Sequence, residues 1–137
     1  MLGAVVFLHM AYHGAIANLT RVSLNGFEFP LAGAFGAVPE QFRYECQTRC
    51  RYHSDQISNI IRLGLEHGAR AFDDSLCHVA AFEATKVQIV HSSISQRGAG
   101  DREATEDCIR VNIELMKMKE GLPQGILVEE PQRLVAD

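Results

Sequence analysis

The sequence predicts an all-α fold, a four-helix array in which each amphipathic helix buries one stripe against its neighbours. Three observations carry this. Apolar residues recur at steps of three and four along four long stretches. Glycine, proline and Asn-Gly punctuate the chain between those stretches. No segment sustains the period-two alternation of a half-buried strand.

The first helix is expected over Gly3–Leu24. Val5, Leu8, Tyr12, Ala15, Ile16, Leu19 and Val22 form its apolar face, and Asn25-Gly26 stops it. Phe27–Val38 is a connector: Pro30, Gly33 and Gly36 exclude a long helix, while three phenylalanines call for packing against its neighbours.

Pro39–Gly68 is the longest helix expected, roughly 40 Å at about 1.5 Å per residue. Pro39 suits a first helical position, where its missing N–H has no partner to lose. Glu40 follows in the first turn, where the helix dipole favours negative charge. Phe42, Cys46, Cys50, Ile57, Ile60, Ile61 and Leu65 line its apolar face, and Gly68 closes it.

After a short link at Ala69–Phe72, Asp73 or Asp74 caps a third helix over Ser75–Ser95. Leu76, Val79, Ala80, Phe82, Val87, Ile89, Val90 and Ile94 cover more than half of this cylinder, the pattern of a central helix. Gln96–Gly100 is a turn, and Asp101 caps a fourth helix running to about Glu120. Its stripe is Ala104, Cys108, Val111, Leu115 and Met118. Gly121 and Pro123 end it. Residues 1–122 thus form one helical domain and 123–137 a C-terminal tail.

With 137 residues and 47 % hydrophobic content, the chain supports one packed core. Its formal net charge of −4 opposes a general nucleic-acid or anionic-membrane binder, because both depend on a basic face. The longest uninterrupted apolar run near the start, Met1–Leu8, is too short to span a bilayer. It also lacks the basic flank and cleavage site of a signal peptide, so no membrane partner is expected. Cys46, Cys50, Cys77 and Cys108 all fall at apolar helical positions. That suits buried free thiols of an intracellular protein better than a disulfide framework.

Three constellations could carry chemistry. His9 and His13 are four apart on a helix and could face one metal, but Met10, Ala11 and Tyr12 between them supply no glutamate of the zincin kind. Cys46, Cys50 and His53 share a face, and Cys77-His78 could approach it, yet no CxxC spacing supports zinc. Arg43, Arg49 and Arg51 with Tyr44 and Tyr52 hint at a nucleic-acid patch, but Glu40, Glu45 and Asp55 cancel most of its field. In each case a packed or solvated helix face is the simpler reading. Nucleophile elbows and phosphate-binding glycine loops are missing. No catalytic, cofactor-binding or metal-ligating residue is therefore assigned. The competing reading is a small helical metal- or thiol-dependent enzyme using Cys46, Cys50, His53 and His78.

The order of segments adds a family resemblance. Leu8, His9, Tyr12, Leu19 and Arg21 match a Leu-His-x-x-Tyr…Leu-x-Arg helix. A proline-containing loop follows, then a helix opening near Cys50, then a helix rich in Phe, Ala and Val (Ala80–Ile94), then a Leu/Met stripe (Ala104–Met118). Leu8–Glu120 resembles the C-terminal half of the fungal-specific transcription factor domain, the middle homology region of binuclear zinc-cluster regulators. The resemblance implies a nuclear, all-α domain that tunes an activator and responds to a small-molecule effector. Its partners would be the transcription machinery or the rest of a zinc-cluster regulator, and a homodimer is open to it. Family members carry helices before Leu8 and a six-cysteine cluster that these cysteines cannot form. The expectation is a chain that binds no specific DNA by itself and leaves some apolar faces, such as 3–8, without partners.

This yields a first prediction. A mobility-shift assay at physiological salt should show negligible binding to duplex DNA, and submicromolar, salt-sensitive binding would contradict it.

Overall fold

The structure, a computed structural model, describes residues 1–21, 24, 37–94 and 99–118. The expected connector up to Gly36, the turn at 96–98, the domain boundary near 122 and the tail lie outside them. Four helices follow in order: α1 (Leu2–Thr20), α2 (Glu40–Leu65), α3 (Ser75–Ile94) and α4 (Ala99–Lys117), with a short 3-10 helix, Ala69–Phe72, between α2 and α3. The described residues contain no strand, and the expected all-α class is what the chain adopts.

The local signals work with small shifts of position. Pro39 sits just before α2, and its carbonyl accepts the Arg43 N–H at 3.2 Å. It therefore precedes the helix it was expected to begin. Asp74 caps α3 by accepting the Leu76 N–H at 2.9 Å. Asp101 lies inside the first turn of α4, which starts at Ala99, ahead of the expected cap. Gly68 has φ 89°, a backbone that side chains rarely adopt, and turns the chain into the 3-10 helix.

The core has one large cluster. Val6 and Met10 of α1 meet Ile57 and Ile61 of α2, Ala71 and Phe72, Ala81 and Ala84 of α3, and Val111, Leu115 and Met116 of α4. Helix α1 runs antiparallel to α2: Gly3 lies near Arg70 at one end, and Ala17 near Cys50 at the other. Gly64 faces the Phe72 ring so closely that a Cβ there would lie 2.3 Å from Cζ, so the approach requires glycine.

Beside the apolar cluster lies a buried polar one. Gln88 Nε2 donates to Ser58 Oγ at 2.9 Å, and Ser58 Oγ donates to Asn112 Oδ1 at 2.9 Å. Asn112 Nδ2 closes the ring on Gln88 Oε1 at 3.1 Å. Asn112 Nδ2 also donates to Thr85 Oγ1 at 3.1 Å, and Thr85 in turn donates to the Ala81 carbonyl at 2.8 Å. None of Ser58, Thr85, Gln88 and Asn112 exceeds 1 % exposure.

Several helix faces differ from expectation. On α1 the buried residues are Val6, Met10 and Ala17, while Val5, Leu8, Tyr12, Ala15 and Leu19 point outward. This helix is apolar on both sides, so periodicity alone could not choose the inner one. On α3, Leu76 and Val79 are exposed and Cys77, Ala81, Ala84, Thr85 and Gln88 face inward. On α4, Ala104 and Met118 are exposed, and Thr105, Ile109 and Asn112 join Val111 and Leu115 inside. On α2, Ile57 and Ile61 are buried as expected, but Phe42 is exposed.

Ile61 is fully buried in the large cluster. Ile61→Asp places an unpaired carboxylate there, a change of several kcal/mol against a typical margin of about 5–15 kcal/mol. The variant should lose its cooperative thermal transition by circular dichroism, and an unchanged melting temperature would mean the core face is misassigned.

Candidate functional site

The described residue pair with the most chemical content joins α1 to α2. His13 on α1 and His53 on α2 meet with their Nδ1 atoms 2.8 Å apart. One ring donates its Nδ1–H and the other accepts, which requires the acceptor to be neutral. Tyr12 stacks edge-on against both rings, with centroids 5.0 and 5.9 Å away, and Tyr52 stacks edge-on against His53 at 5.1 Å. The pair is half-buried at the rim of the α1–α2 contact.

Burial pushes both imidazoles below the ordinary histidine value. For His13 the neighbouring His53 and then His9 add to it, and for His53 the Arg49 guanidinium does. The pair is therefore neutral at physiological pH and hydrogen-bonded. Protonating both rings would set two N–H groups and two positive charges against each other.

The residues singled out from sequence are only partly brought together. His13 does not pair with His9 on its own helix but with His53, forty residues away. Cys50 is fully buried, its thiol 3.5 Å from the Ala17 carbonyl, in a small cluster with Leu24 and Val87. Cys77 packs in the other cluster, with Val6, Met10 and Phe72. Burial pushes the Cys50 and Cys77 thiols up to about 11 each, and it raises that of Cys108 too. Such thiols stay protonated at neutral pH, the form least suited to attack or metal binding. Cys46 and Cys108 are only half-buried, which departs from the expectation of four buried thiols. All four are free. His78 is buried near the start of α3. Among the described residues, no group of three or more His, Cys, Asp or Glu is placed to hold a metal ion.

Within the Arg/Tyr patch, one arginine has an acidic partner one turn away. Arg51 pairs with Asp55 one turn on, at 3.5 Å. Elsewhere Arg62 bridges α2 to α4 through Asp107 at 2.7 Å, and Arg21 bridges to Glu83 of α3. With Arg110 also bound to it, Asp107 has its carboxyl held below the usual range.

Two concavities flank α1. One, of about 710 Å³, opens at its N-terminal end between Leu2, Phe7, His67, Arg70 and Asp73–Asp74. The other, of about 280 Å³, is an apolar groove between α1 and α3, lined by Ala11, Gly14, Ala15, Leu76 and Val79.

The outer face of α1 is the other unusual surface. This helix carries no charged residue. It is long and apolar enough to cross a membrane by length and composition, and only 17 % of its most apolar window is buried. The expectation that the N-terminal run is too short rested on His9, His13 and Asn18 as interruptions. The helix continues through all three: His13 meets His53 of α2 at the rim of their contact, and His9 and Asn18 are exposed. No family model matches this chain, nor does any curated protein or solved structure.

The histidine pair makes stability pH-dependent. Because both folded-state values lie below the ordinary one, the unfolded chain binds more protons than the folded one. The pair's contribution is intact above the ordinary histidine value of about 6.5 and is lost as pH falls through it toward the folded values. Urea unfolding midpoints should therefore drop between about pH 7.5 and 5.5. In His13→Gln the drop should be smaller, and an equal drop would remove this pair as its source.

Proposed function

We propose that this chain is a non-catalytic helical interaction domain of a nuclear transcription regulator of the fungal zinc-cluster class. It modulates transcription by contacting the rest of such a regulator or the transcription machinery. One observation carries the reading. Helix α1 is apolar on both sides, yet its outer face, with Val5, Leu8, Tyr12 and Leu19, is exposed in the isolated chain. A helix apolar on most sides is normally covered, by a core, a partner or a membrane, and a large exposed apolar patch marks an interaction site.

Two further features support it. The order of segments over Leu8–Glu120 and the all-α fold agree with the resemblance. The cysteines available to a thiol enzyme sit in separate clusters, with Cys50 and Cys77 held protonated by burial. The cleft of about 710 Å³ beside Leu2 and Phe7 falls within the usual size range of small-molecule sites and is the place for an effector.

The test is a reporter assay in yeast, with the full chain fused to a heterologous DNA-binding domain. Expression should change at least about two-fold relative to the DNA-binding domain alone, and Leu8→Glu should reduce that change. Output indistinguishable from the DNA-binding domain alone would overturn the reading.

A further inference from the structure

Met1, Val5, Leu8, Tyr12, Ala15 and Leu19 follow one another at intervals of four, three, four, three and four. That is an uninterrupted heptad seam, the spacing with which one helix packs along another. All six residues lie opposite the face that holds Val6, Met10 and Ala17 in the core, and all six are exposed. Apart from the edge of Tyr12 against His13 and His53, packing among the described residues does not explain this periodicity.

We infer that this seam is a dimer interface, in which α1 packs antiparallel against α1 of a second copy of the chain about a two-fold axis. This rests on reading the chain as an interaction domain and names the partner of its α1 face.

The area suffices. Met1, Val5, Leu8, Tyr12 and Leu19 are between 49 % and 108 % exposed. With an aromatic offering about 150 Å² and an aliphatic side chain on the order of 100 Å², the seam presents roughly 600 Å². The exposed Leu76 and Val79 across the α1–α3 groove bring this near the about 800 Å² per partner of a standard interface. Charge also suits a copy of the same face, since α1 has no charged residue and nothing on the seam repels its own image.

Residue sizes select the orientation. A parallel pair would stack Tyr12 on its own copy and leave Ala15 facing Ala15, a crowded layer beside a hole. In the antiparallel pair Leu8 faces the partner's Tyr12, Val5 faces the partner's Ala15, and Met1 faces the partner's Leu19. No layer then pairs two tyrosines or two alanines, so layer volumes vary less along the seam than in the parallel pair. Antiparallel helix dipoles also oppose each other favourably.

A membrane is the weaker occupant. Spanning would pull Val6 and Met10 out of the core. Lying flat on an anionic surface usually relies on basic flanks, and this chain carries a net charge of −4.

The experiment is sedimentation velocity on the full chain at about 50 μM. Twice the monomer mass is expected. Leu8→Glu and Leu19→Glu change exposed residues, so both should keep the far-ultraviolet helix signal and weaken dimerisation at least tenfold. Oxidising a mixture of Leu8→Cys and Tyr12→Cys proteins should link the two variants to each other in preference to themselves, with the unsubstituted chain as control for its own thiols.

A monomeric unsubstituted chain would overturn the proposal, as would a dimer that both glutamate variants leave intact. Preferential self-linking of each variant would overturn the antiparallel arrangement. Flotation of a monomer with phosphatidylcholine vesicles would assign the seam to lipid and overturn it as well. A monomer that still alters reporter output would remove only the dimer, whereas a dimer that leaves output unchanged would remove the regulatory reading.

Discussion

The structure depends on a ring of three hydrogen bonds with no access to water. Ser58, Gln88 and Asn112 come from α2, α3 and α4, and each donates to the next and accepts from the one before. A buried polar group left without a partner costs about 1–3 kcal/mol. Rotating any one of the three helices by a single residue would turn its member away and strand the other two. The ring thus fixes how the three helices face one another far more sharply than apolar contact, which tolerates sliding. Thr85 extends it to the α3 backbone through Ala81.

Once those helices are set, the remaining positions follow. Ile57 and Ile61, one turn apart, point to the same side as Leu115, Ala81 and Ala84 and build the large cluster. The neighbouring surface of α2 and α3 accepts α1, where small residues allow close approach: a Cβ on Gly14 would touch Ala80 at 3.9 Å, an ordinary contact. Cys50 is sealed between the end of α1 and α3, and His53, one turn along, reaches the rim and meets His13. The helix that holds a protonated thiol inside therefore also carries a neutral imidazole at its edge. Burial explains both shifts, raising one group and lowering the other.

The same arrangement separates stability from interaction. The core uses one side of α1 through Val6, Met10 and Ala17. On the other side Tyr12 stacks against His13 and His53, while Val5, Leu8 and Leu19 are exposed and continue an apolar seam as regular as the inner one. Packing among the described residues does not account for such regularity on an exposed face, and the interaction reading rests on it.

The sequence by itself determined the all-α class, the four helices and their punctuation, because capping residues, Asn-Gly, glycine and helical periodicity act locally. Asp74 as a cap, Gly68 as a turn and Ile57 with Ile61 as core could all be read in that way. Which side of α1 faces inward was not legible, since Val5, Leu8 and Leu19 are as apolar as Val6, Met10 and Ala17. Ser58, Gln88 and Asn112 were missed because a polar residue breaks an apolar pattern, although Ser54 and Ser58 continue the spacing of Cys50 and Ile61. The pairing of His13 with His53 depends on the packing of two helices whose contacting residues lie forty positions apart. Only the tertiary structure could decide these points, because they depend on which polar groups find partners across helices, and no local spacing carries that information.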